Sequence, residues 1–105
     1  MEVSSRTREL RQKLDDHCDE IQIIVGRYGG RNLRLFGSVA DGTAGERSDI
    51  DLLVDLDERP GSKLLRLAGI TQELIDLLGE DVDVVTLPLL RKPVAETALA
   101  GAVTL

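Results

Sequence analysis

Asp49 and Asp51 stand two residues apart in the segment SDIDLLVDLD, and Asp83 is a third carboxylate, set among valines in DVDVV. Alternate side chains of an extended chain share a face, so Asp49 and Asp51 point the same way. A strand carrying Asp83 and lying alongside would bring three carboxylates to one edge of a sheet. Like charges at ~4–6 Å raise one another's pKa and cost stability until a cation neutralises them. Hard oxygen donors select Mg²⁺ or Mn²⁺, and Mg²⁺ typically takes one or two carboxylates together with substrate phosphates. A DxD pair alone is equally the solvated face of an edge strand.

A second motif gives the pair its meaning. Gly37-Ser38 follows the apolar run LRLF and opens a turn. In that setting backbone N–H groups and a hydroxyl can cradle a phosphate, although a lone Gly-Ser is an ordinary strand-to-helix turn. Here the two motifs occur together, in LFGSVADGTAGERSDIDLLVDLD, with ten residues between Ser38 and Asp49. Other chemistries find no support. His17 is the one histidine and Cys18 the one cysteine. As neighbours on a helix they do not share a face, which argues against zinc. A hydrolytic role for Ser38 lacks a plausible histidine base.

The elements that must position these groups are legible in the pattern. Leu10, Leu14, Ile21, Ile24, Val25 and Tyr28 recur at helical spacing, predicting a helix from about Ser5 to Tyr28 closed by Gly29-Gly30. Arg31 to Phe36 reads as a short strand, and Val39 to Ser48 as a helical turn followed by a loop. Asp49 to Leu56 alternates as a second strand, with Ile50, Leu52, Val54 and Leu56 on one face and Asp49, Asp51, Leu53 and Asp55 on the other. Ser62 caps a helix running to Leu78, and Gly79 ends it. Asp81 to Leu87 is a third strand, with Asp81 an alternative to Asp83 on the same face. Pro88 opens a last helix, about Leu89 to Ala100. The expected architecture is α/β (α+β): a small mixed sheet with flanking helices, in a single domain over residues 1–105.

Composition narrows the function classes. The chain carries 42% hydrophobic and 30% charged residues, which suits a folded domain, and only 2% aromatics, so Leu, Ile, Val and Ala must build the core. The net charge of -6 repels phosphate backbones, and stacking platforms are missing, so no direct nucleic-acid partner is expected. No apolar run approaches membrane-spanning length, and a lone cysteine forms no internal disulfide; a cytoplasmic protein is expected.

The GS, ten-residue spacer and DxD arrangement resembles the nucleotidyltransferase superfamily typified by DNA polymerase β. It is most similar to the minimal stand-alone branch, the antitoxin partners of HEPN-domain toxins. The resemblance spans almost the whole chain. It implies that Gly37 and Ser38 hold the β- and γ-phosphates of ATP, and that Asp49 and Asp51 bind two Mg²⁺ ions. Asp83 would complete the second ion's site and help take the proton of the attacking hydroxyl. The implied activity is transfer of AMP from Mg-ATP to a tyrosine of a cognate HEPN RNase toxin, working within a homo- or hetero-oligomer with that toxin. Many members carry arginines just after the serine; Val39 and Asp41 stand there instead. Arg31, Arg34 and Arg47 are candidate substitutes. Two other functions fit: a catalytically degenerate antitoxin that acts by contact only, and nucleotidyl transfer to a small molecule such as an aminoglycoside.

Overall fold

The computed structural model describes residues 3–89 and 101–105. Helix α1 spans Ser5–Asp16 and α2 Cys18–Arg27. Strand β1 (Gly30–Phe36) leads into the short helix α3 (Gly37–Asp41), then β2 (Ile50–Leu56), α4 (Lys63–Leu78) and β3 (Val82–Val85). A 3₁₀ turn at Leu87–Leu89 follows β3, and β4 (Val103–Thr104) comes last. The sheet order is β3-β2-β1-β4. β1 is antiparallel to both β2 and β4, while β2 and β3 are parallel. Parallel neighbours need a crossover, and α4 supplies it.

One face of the sheet is the core. Leu33, Leu35, Ile50, Leu52, Val54, Val82 and Val84 meet Leu10 and Leu14 of α1, Ile21, Ile24 and Val25 of α2, and Leu67, Ile70, Leu74 and Leu78 of α4. The alternation in β2 therefore sorts its residues as the sequence predicts. Leu53, on the face of Asp51, is nonetheless fully buried. In α4 the buried stripe includes Ile70, while Leu64 and Leu65 are exposed.

The first helix is not continuous as the pattern predicts. It breaks at His17 (φ -114°, ψ 15°), whose Nδ1 lies 2.9 Å from the Lys13 carbonyl. Asp15, Asp16 and His17 are weak helix formers. Cys18, the first residue of α2, is exposed. The third strand stops at Val85 rather than Leu87, where Pro88 removes a ladder donor. The last helix expected at about Leu89 to Ala100 lies outside the described residues. The β4 pairing, Arg34 with Thr104 and Leu35 with Val103, has no counterpart in the sequence reading.

Caps explain the remaining boundaries. Ser62 accepts a hydrogen bond from the Leu65 amide at the start of α4. Gly79 closes α4 in the left-handed conformation (φ 67°), as the sequence predicts.

Candidate active site

The three aspartates lie on the sheet face opposite the main core. Asp51 pairs with Phe36 across β1 and with Asp83 across β3, directly in register. Neighbouring strands lie ~4.8 Å apart, so the Asp51 and Asp83 side chains rise side by side. Asp49 sits just before β2, where the Ile50 amide donates to the Asp81 carbonyl at 2.9 Å and ties the strand start to β3. Asp49 and Asp83 are exposed; Asp51 is half-buried. Asp81 precedes β3 and is also exposed, so the register favours Asp83 as the partner of Asp51.

The electrostatics of the three are coupled. Burial pushes the Asp51 carboxyl up to about 6, and the Asp49 and Asp83 charges push it the same way. Among the described residues no three His, Cys, Asp or Glu side chains form a ready-made metal cage. Coupled but unclosed carboxylates suit Mg²⁺, whose coordination shell is commonly completed by substrate phosphates. The donor set is thus all hard oxygen, forms no ion pair among the described residues, and fits a divalent cation.

Gly37 brings the phosphate-binding candidate to the same place. It adopts φ +73°, a conformation that side-chain-bearing residues rarely take. A Cβ there would run into the Asp51 carboxylate. The glycine therefore lets the β1–α3 turn pass directly against Asp51, and the two motifs of the sequence meet.

The ten-residue spacer folds compactly around this point. Gly42 caps α3 in the left-handed region (φ 86°), and the Thr43 amide donates to the Ser38 carbonyl at 2.9 Å. A tight turn at Gly45–Ser48 then delivers the chain to Asp49, with the Gly45 amide donating to Ser48 Oγ at 2.9 Å.

The substitute cations are placed differently from one another. Arg34 is held by Asp55 at 2.8 Å and by the Asn32 carbonyl at 3.1 Å. Arg31 and Arg47 are exposed and form no ion pair among the described residues. Asp41 Oδ1 lies beside Gly101, 3.3 Å from where a Cβ would stand. A groove of about 290 Å³ is lined by Arg11, Leu14, Asp15, Leu35 and residues 103–105 and contains none of the three aspartates. Sequence reasoning missed Ser4, Thr7 and Arg11, which bond to the turn and spacer from α1. Their polar i, i+3, i+7 spacing was a faint signal, since nothing local says what they touch.

The fold and site define a class. The chain belongs to the nucleotidyltransferase family, whose domain profile matches residues 8–103. It is 37% identical over 91 residues to the protein adenylyltransferase MntA of Thermococcus cleftensis, covering 87% of each chain. A solved structure of a minimal nucleotidyltransferase matches with TM-score 0.76 and 34% identity, over 100% of this chain and 97% of that one. A toxin–antitoxin crystal structure with AMP-PNP matches with TM-score 0.61 at 21% identity, over 93% and 70%, and shares the fold. Among the described residues no helix is long and apolar enough to cross a membrane.

Proposed function

We propose that this chain is a protein adenylyltransferase antitoxin, transferring AMP from Mg-ATP to a tyrosine of a cognate HEPN RNase toxin in the cytoplasm. The observation that carries the reading is the meeting of Gly37 with Asp51, and of Asp51 with Asp83, at one point of the sheet. The name of the Thermococcus relative supports the protein acceptor, and the toxin–antitoxin neighbour supports the kind of partner.

Gly37 and Ser38 hold the β- and γ-phosphates, with the glycine allowing close backbone approach. Asp49 and Asp51 would hold two magnesium ions, with Asp83 completing the second. Such ions would neutralise phosphate charge and acidify the acceptor hydroxyl. The acceptor oxygen forms a bond to the α-phosphorus, the bond to pyrophosphate breaks, and the hydroxyl proton passes toward the Asp83 carboxylate. The chain contributes positioning and charge, which is most of what phosphoryl-type transfer requires.

The contact-only antitoxin remains a second reading because Asp41 occupies a place where many family members carry arginine. Co-expression with the toxin separates the two. Intact-mass measurement should find the toxin heavier by one AMP with the native chain and unmodified with Asp49→Asn/Asp51→Asn. Neutralised but unmodified toxin in both cases would establish the contact-only reading.

A further inference from the structure

Helix α1 grips the phosphate-side turn along one stripe. Ser4, Thr7 and Arg11 fall at i, i+3 and i+7, on one side of the helix. Arg11 donates from Nε to the Val39 carbonyl at 3.1 Å and from Nη2 to the Ala40 carbonyl at 2.8 Å. Thr7, fully buried, accepts from the Ala44 amide at 3.0 Å. Ser4 donates from Oγ to the Ala44 carbonyl at 2.8 Å and from its amide to the Gly42 carbonyl at 2.9 Å. The segment 39–44 is thus tied to α1 at five backbone groups.

The tie matters because α3 is only 5 residues long. A helix of that length does not hold itself, since nucleation is unfavourable and few bonds repay it. Helix α1, by contrast, is anchored through buried Leu10 and Leu14 and through Arg6 to Glu80. The place of Ser38, and the path of the spacer to Asp49, is therefore set from α1. Arg11 is also a cation bonded directly to α3, through the Val39 and Ala40 carbonyls, whereas Arg34 is committed to Asp55.

We propose that Arg11, backed by Thr7 and Ser4, is the positioning residue for nucleotide binding, clamping the segment 39–44 that follows the Gly37–Ser38 turn. This rests on the reading of the site as a Mg-ATP site. Arginine suits the task because its planar fork meets two carbonyls at once, which a lysine ammonium cannot reproduce.

The test is calorimetric titration of the full chain with the magnesium complex of a non-hydrolysable ATP analogue. Arg11→Ala should weaken binding about tenfold, on the scale of one charge-assisted hydrogen bond. Arg11→Lys, keeping the charge but not the fork, should weaken it roughly threefold. Lys13→Ala, which removes an ion pair from the same helix, should lower Tm and leave affinity unchanged. Arg11→Ala binding as tightly as the native chain overturns the clamp, as does Lys13→Ala weakening binding equally. If Arg11→Ala does not fold, native affinity in Arg11→Lys overturns it. No binding by the native chain overturns the site reading and the clamp together.

Discussion

Asp51 is the half-buried member of the three aspartates. Its folded-state carboxyl is raised to about 6 from an ordinary 3.8, first by burial and then by Asp49 and Asp83. A raised carboxyl binds its proton more tightly in the folded than in the unfolded chain. Ionised Asp51 therefore costs stability above about pH 6, and the cost is relieved as pH falls toward 3.8. Urea denaturation without divalent cations should show greater stability at pH 5 than at pH 7.5. The residue is partly solvated, so the difference should be no more than roughly 1 kcal/mol after screening. Asp51→Asn should remove most of that slope; an unchanged slope would place its origin elsewhere. Glu80 does not confuse the window. Arg6 and then Lys13 hold its carboxyl below the usual range, so its contribution is present above 4.5 and lost only as pH falls below it.

Gly37 offers a second check at the same scale. Alanine there must adopt a left-handed backbone and drive a Cβ into Asp51. Gly37→Ala should cost about 1–3 kcal/mol of stability, and should cost nucleotide affinity as well because the turn must retreat from Asp51. Calorimetry on a variant that still folds measures the second effect; unchanged affinity would mean that close approach at this point is not required.

At the scale of elements, α1 serves both core and site. Its Arg6 and Lys13 converge on Glu80, in the turn between α4 and β3, and Arg6 Nε is buried without a partner among the described residues. Glu80→Ala should destabilise the chain by about 1 kcal/mol in urea, because two cations lose their partner while the pair is only partly shielded from water. A loss within experimental error would show the bridge to be incidental. The elements were readable where periodicity was strong: α4 with its Ser62 and Gly79 caps, and the alternation in β2. The break at His17 was not, because Leu10, Leu14, Ile21 and Ile24 keep helical phase across it and only weak local propensities mark it. The β4 pairing was hidden because two residues, Val103 and Thr104, carry no usable period. The α1 clamp was hidden because its bonds join residues some thirty to forty positions apart.

For the whole molecule, the sheet order brings together motifs that the sequence shows only as separate words. The GS turn lies at the end of β1, the DxD pair at the start of β2 with Asp49 just before it, and Asp83 on β3, and adjacency of the three strands brings them to one side of the sheet. The sequence motifs were legible through residue type and spacing. The closeness of Gly37 to Asp51 was not, since it depends on the register of β1 against β2. We propose that this place binds a divalent cation and ATP as one unit. Thermal melting of the chain with Mg²⁺ alone, ATP alone and both is the test, because a ligand that binds only the folded state raises stability by about 2.7 kcal/mol at a hundredfold excess over Kd. The Tm rise with both should exceed the sum of the separate rises and should disappear in Asp49→Asn/Asp51→Asn. Melts with Mg-ATP that match those in buffer, or a rise that survives in the double variant, would contradict it.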